Sequence, residues 1–313
     1  MRGRQTRYSR AAARPTPKWE PRERDSISRR YRSSLVCESM ALERGIPYFT
    51  PHGSFGSSRN AAATAPCIPA DRVVRKLSAL TRARIEEVLS RHADPRSLSL
   101  PGAQVRILSV QPISQDGPQC GLVALSMATQ LLGLEKKDVL EIYDTAKRMG
   151  LTIQGEMFSA HWLKQLATSL WPVHCEVLVM PEPSSLVSWM DSGAAVLVAY
   201  DCEKNHEPAM RNGRGAHWAI LVGYLYVETN TTVIRSAADV SVDDEHAFYV
   251  FAFHGKSRHM GLWSYSILRQ SSFNLLEAGP ERKPPHYILP DDGLVQLRGK
   301  CLVLRKTLLS DSK

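Results

Sequence analysis

Gln115-Asp116-Gly117-Pro118-Gln119-Cys120-Gly121 runs without a break into the apolar-rich stretch Leu122 to Leu134. A Gly-Pro turn followed by Cys, Gly and apolar residues at three- and four-residue spacing predicts a thiol in the first turn of a helix buried along one face. Cys120, Ala124, Met127, Ala128 and Leu131 fall on one side of that helix, and the small Gly121, Ala124 and Ala128 let other segments come close. The unpaired N–H groups of a helix start and the positive end of its dipole favour the thiolate, the reactive form of a side chain whose free pKa is about 8.5. The competing account is packing, because free cysteine is among the most buried residue types.

The second half of the pattern lies far downstream, at Gly215-Ala216-His217-Trp218-Ala219-Ile220-Leu221-Val222-Gly223-Tyr224. This is a strand-like run bounded by glycines, with His217 at its first edge. A histidine at a strand mouth can be fixed by the sheet and still present one ring nitrogen to a thiol on a helix. A cysteine, a histidine at the start of a later strand, and a glutamine just before the cysteine are the parts of a thiol protease.

With the later His254-Gly255-Lys256-Ser257 and Leu262-Trp263-Ser264, the segments Gln115 to Met127 and Gly215 to Tyr224 resemble the actin maturation protease family, itself similar to papain-like, peptidase-C39-type cysteine peptidases. The resemblance covers roughly residues 100 to 310. It implies an α+β, papain-like fold, with a helical half carrying the cysteine and an antiparallel-sheet half carrying the histidine. It also implies Cys120 as nucleophile, His217 as base and Gln115 as the oxyanion-hole glutamine, with no cofactor and no metal. The expected activity is removal of the acetylated N-terminal residue from actin once the initiator methionine has gone. Members engage profilin through a proline-rich N-terminal region; here Pro15, Pro17 and Pro21 are isolated, a departure from that pattern.

The papain-like class also places an Asp or Asn after the histidine strand to orient the base, and none occurs in the segment that follows Phe253. One polar group of His254 to Ser257 is therefore expected to face His217. His254 is the first candidate, with Ser257 and Asn274 as alternatives, or the Cys–His dyad works alone. A neutral orienter selects the tautomer without stabilising the imidazolium as a carboxylate would.

The formal charge of +9 is unevenly spread: residues 1 to 32 hold eleven Lys or Arg and three Asp or Glu, so this tail carries +8 and the rest +1. Nucleic-acid binding is therefore not inferred from the overall charge, and no aromatic stacking platform accompanies the tail. Six cysteines at 37, 67, 120, 175, 202 and 301 form no regular framework, and no run approaches the length of a bilayer span. These features point to a reduced, cytoplasmic, monomeric protein away from the membrane. The competing functional readings are a cysteine peptidase of other specificity and a degenerate peptidase-fold interaction protein.

Residues 1–70 read as a basic disordered tail and a Gly/Pro/Ser/Ala-rich linker, 71–100 as a helix packed on or linking to the next domain, and 101–313 as the peptidase domain. Further helices are expected over Lys136 to Met149, from Gln154-Gly155-Glu156 to Leu170, and over Pro183 to Asp191. Strands are expected at Val105 to Val110, Val173 to Met180, Ala194 to Tyr200, Val233-Ile234, Ala247 to Phe253 and Cys301 to Leu304, with Leu262 to Leu276 helical or irregular. The polar Asp201 to Arg214 precedes the histidine strand and is a candidate substrate loop. Cys202 and His206 within it read as a loop cysteine and a surface histidine rather than as metal ligands with His217. Arg211 and Arg214 are the local charges expected to attract an acidic substrate.

Overall fold

The computed structural model describes residues 77–93, 101–227 and 247–307, all within one compact unit, Ala62–Lys313. The basic tail, the linker and the strand expected at Val233-Ile234 lie outside the described residues. Among the described residues seven strands form a single antiparallel sheet: β1 (Ala103–Ile107), β2 (Val173–Val179), β3 (Ala195–Tyr200), β4 (His217–Val227), β5 (Phe248–Phe253), β6 (Gly261–Ser264) and β7 (Lys300–Lys306). The order is β2-β7-β3-β4-β5-β6, with β1 also paired to β4.

Strand β4 organises the sheet. Its first half, His217 to Leu221, pairs with Tyr200 to Val196 of β3, while Gly223 to Val227 pairs with β1. Its other edge carries β5, so β3 and β1 follow one another along the same edge. Gly223 marks the change, where the β4–β5 register shifts. A Cβ there would stand 2.2 Å from the Arg106 carbonyl oxygen, so only glycine admits β1. The bulge also reverses which side chains face which way: Trp218, Ile220 and Val222 join Leu225 and Val227 in one core, and Ala219 and Leu221 join Tyr224 and Tyr226 in the other.

Both faces of the sheet are covered, which is why β3, β4 and β5 read as continuous apolar runs instead of alternating ones. The helices α1 (Ala79–His92), α2 (Cys120–Leu131), α3 (Val139–Arg148) and α4 (Ala160–Leu170) contribute to the first core, which also takes Leu197 of β3 and Leu302 of β7. The helices α5 (Pro183–Asp191) and α6 (Tyr265–Phe273) belong to the second, with Val196, Val198 and Val303. Helix α2 is buried all round from Gly121 to Thr129, not along one face as its spacing suggests. Its buried hydroxyls find carbonyls, Thr129 donating to Ser126 at 2.8 Å within the helix and Ser126 to Lys137 at 3.4 Å beyond it. Gly261–Ser264 is a strand where helix or irregular chain was expected, because it pairs with Tyr249 to Ala252 of β5. Among the described residues no helix is long and apolar enough to cross a membrane.

Candidate active site

Cys120 opens α2 after Gln119, whose side chain makes no capping hydrogen bond. The first-turn N–H groups are thus left for another partner. His217 opens β4 opposite Tyr200 and is only 8 % exposed. The two residues line one cleft of about 350 Å³, together with Gln115, Gly117, Met157, Phe158, His206, Lys256, Arg282 and Tyr287. The helix and the strand hold the thiol and the imidazole at element starts that open on the same cleft.

The Nε2–H of His217 donates to the backbone carbonyl of His254 at 2.7 Å. A carbonyl only accepts, so the proton of the neutral ring lies on Nε2 and Nδ1 keeps its lone pair. His254 is therefore the residue that meets His217, and its hydrogen bond comes from the main chain. Its ring meets the His217 ring edge-on, with centroids 6.0 Å apart at 61°, and stacks on His206 with centroids 5.1 Å apart and planes 3° apart, and on Trp263 at 6.1 Å. Ser257 and Asn274 are occupied elsewhere: Ser257 Oγ accepts from the His259 N–H at 3.0 Å, and Asn274 Oδ1 from the Asn212 N–H at 2.7 Å.

Gln115 is tied to the same turn, its N–H donating to the Gly255 carbonyl at 2.7 Å. Its side-chain Nε2 donates to the Gly117 carbonyl at 2.7 Å, and a second hydrogen remains on that nitrogen. Its Oε1 is buried with no hydrogen-bond partner among the described residues.

Burial dominates the electrostatics. It pushes the Cys120 thiol above its usual value, against the Trp218 N–H, the Arg282 guanidinium and the N–H groups of Gly121 and Cys120, which pull it down. The local helix-start argument for a resting thiolate is outweighed by desolvation. Burial likewise brings His217 down to about 4, with the His254 carbonyl opposing and Arg282 and Lys256 reinforcing. Both shifts run toward the uncharged forms, the thiol and the neutral imidazole.

The charges on the cleft wall are positive. Lys256 Nζ reaches the Gly117 carbonyl at 3.3 Å, and Arg282 Nη1 donates to the Ala216 carbonyl at 3.0 Å with its guanidinium 5.8 Å from the Phe158 ring. The one carboxylate on the wall, Glu156, is consumed by the Thr152 hydroxyl and the N–H groups of Ile153, Gln154 and Ile288 at 2.8–3.0 Å. Arg211 and Arg214 do not line the cleft, and Arg214 pairs with Glu277 at 3.0 Å. Arg282 lies in a Pro- and Gly-rich link that carries no sequence signal for a site, and reaches the cleft only through long-range packing.

The loop from Asp201 to Gly215 forms another part of the wall. The fully buried Asp201 carboxylate accepts from the N–H groups of Arg211, Gly213 (2.9 Å) and Gly215 (2.8 Å). This staple turns His206 into the cleft, where the sequence suggested a surface histidine. Cys202 donates instead to the Gly215 carbonyl, at 3.1 Å. Among the described residues no group of three or more His, Cys, Asp or Glu side chains is arranged to hold a metal ion.

Residues 110–225 match the family model described as actin maturation protease-like, C-terminal domain. The chain is 35% identical over 212 residues to the actin maturation protease of Drosophila melanogaster, covering 65% of this chain and 72% of that one. It is 36% identical over 221 residues to the actin maturation protease of Danio rerio, covering 62% and 72%. Among solved structures, the peptidase domain of Streptococcus ComA is similar at 12% identity and a TM-score of 0.36, covering 63% of this chain and 98% of that chain, a likeness too loose to carry an argument. On the two relatives' identity and coverage, this chain belongs to the actin maturation protease family.

Proposed function

We propose that this protein is a cysteine peptidase that removes the N-acetylated N-terminal residue of immature actin, with Cys120 as nucleophile and His217 as base. The observation that carries the reading is the Nε2–H of His217 on the His254 carbonyl, in a cleft shared with Cys120, in a chain of this family. That bond leaves Nδ1 as the proton acceptor. Nδ1 takes the thiol proton as the sulfur attacks the first peptide carbonyl, so the ion pair forms during attack rather than at rest. The new C–S bond places negative charge on the carbonyl oxygen, met by the Cys120 N–H and the second hydrogen of Gln115 Nε2. Collapse breaks the C–N bond, and the imidazolium returns its proton to the leaving amine. A water deprotonated by His217 then hydrolyses the thioester. Lys256 and Arg282 draw an acidic substrate terminus to the cleft, the role the sequence gave to Arg211 and Arg214.

Incubation with immature actin, followed by the mass of the actin N-terminal peptide, tests the reading. Wild type removes one acetylated residue, whereas Cys120→Ala, which melts as wild type does, and His217→Ala, which melts somewhat lower because the His254 carbonyl loses its donor, leave the mass unchanged. Activity of the Cys120→Ala protein close to that of wild type would refute the nucleophile.

A further inference from the structure

Among the described residues, two non-glycine positions have a left-handed backbone, His206 (φ 65°) and Asn212 (φ 59°), and both lie in the loop between β3 and β4. Asn adopts this conformation readily, and histidine more often than most side chains; at His206 the surroundings hold it against a cost of up to about 1–2 kcal/mol. The surroundings are extensive. The His206 N–H donates to the Glu203 carbonyl at 3.0 Å, and its own carbonyl accepts from the hydroxyl of the fully buried Tyr200 at 2.9 Å. On the C-terminal side, the Asp201 carboxylate gathers Arg211, Gly213 and Gly215, and the Asn274 side chain accepts from the Asn212 N–H. The neighbouring Glu207 accepts from Arg84 of α1 at 3.2 Å.

What this scaffolding holds in place is a ring. His206 meets the His217 imidazole with centroids 5.0 Å apart at 61°, and is backed by a stack of His254 and then Trp263. The second side-chain torsion of histidine is broad, and one hydrogen bond at Nε2 fixes a single point on the ring edge. The imidazole can still swing about that point. Tyr200 closes on it edge-on from the sheet, at 5.9 Å and 83°, the His254 ring stands at 6.0 Å and 61°, and His206, the nearest of the three rings, comes from the loop that lines the cleft.

We infer that His206 is a positioning residue: its ring sets the plane of the His217 imidazole, so that Nδ1 addresses Cys120 while the His254 carbonyl sets the direction of Nε2. The inference rests on the assignment of Cys120 and His217 as nucleophile and base. It gives the strained backbone a use, since a misdirected acceptor slows proton transfer without altering how substrate is bound.

Two substitutions separate the ring from the backbone. His206→Asn tolerates the left-handed conformation and lacks the ring; His206→Phe restores the ring without its nitrogens. With an acetylated actin N-terminal peptide, His206→Asn is expected to lower kcat by about ten- to a hundredfold with KM within twofold and an unchanged melting temperature, and His206→Phe to recover most of that loss. The rate of Cys120 alkylation by iodoacetamide at pH 7, which needs no peptide, should fall and recover in the same order. Wild-type kcat in His206→Asn, or a His206→Phe protein that melts normally and stays as slow as His206→Asn, overturns the inference. If wild type alkylates in the expected order across the variants yet cleaves no actin peptide, the substrate reading fails and the positioning role stands.

Discussion

Gly255→Ala should damage the site more than His254→Ala, although the histidine is the residue that touches the base. Gly255 has φ 76°, a region in which a Cβ costs roughly 1–2 kcal/mol. The added Cβ would stand 2.9 Å from Gln115 Oε1 and 3.3 Å from Val123 Cγ1. Relief comes from rotating the 254–255 peptide, which carries the carbonyl that accepts from His217, and from pushing the Gln115 amide aside. The melting point should fall by roughly 2–4 °C per kcal/mol, a modest loss for a domain of this size. Turnover should fall far more, on the order of a hundredfold, because a displacement of about 1 Å at a reacting group has that effect. His254→Ala keeps the carbonyl and removes a ring that backs His206 and touches His217 at 6.0 Å between centroids, so its loss should be smaller. Single-turnover cleavage of an acetylated actin peptide, alongside thermal melts, compares the two. If His254→Ala were the slower enzyme, or Gly255→Ala cleaved at the wild-type rate, the carbonyl would not be the orienting group.

Two further outcomes follow from the buried charges. His217 and His254 lie at about 4 in the folded protein against 6.5 for an ordinary histidine, so between those values the unfolded chain binds more protons. Their contribution to stability is full above pH 6.5 and lost as the pH falls to 4. Urea midpoints should drop across that window in wild type, and less steeply in a His217→Phe, His254→Phe double variant. Asp201→Asn places an amide nitrogen among N–H donors in the staple of the 201–215 loop, and should cost about 1–3 kcal/mol for a donor left unpaired. Limited proteolysis should then cut within 203–212 in the variant and not in wild type, with kcat reduced; an uncut loop at wild-type kcat would show that the staple is dispensable.

Much of the local structure is legible in the residues. Helix α5 spans Pro183–Asp191 as read, because proline at its start and the apolar spacing are local signals. Cys120 stands at a helix start for the same reason, following Gly117-Pro118. Strands β3, β5 and β7 fall within a residue or two of their expected bounds, since runs of buried apolar residues mark a sheet covered on both faces. Strand β6 was missed: Gly261–Ser264 is four residues long and is extended because β5 offers it an edge. No periodicity can register in so short a segment.

The site divides along the same line. Which residues were candidates for chemistry was readable from side-chain type and order, because thiol, imidazole and amide are local properties of Cys120, His217 and Gln115, and the fold brings the three to one cleft. How they are tuned was not. The group that meets His217 is a backbone carbonyl, which every residue possesses, so no sequence pattern could single it out. The helix start favours a thiolate locally, yet the β4 strand and the cleft walls crowd the half-buried Cys120, and desolvation pushes its thiol pKa up. His206 and Arg282 sit in polar, irregular segments that look like surface, and reach the cleft only because a buried carboxylate folds one loop back and packing on Phe158 and Ala216 draws in the other. Sequence alone determined most of the elements and the candidate reactive groups, which depend on neighbours along the chain. Tertiary structure decided protonation, orientation and the charge of the cleft, because these depend on which distant segments exclude water from the same few atoms.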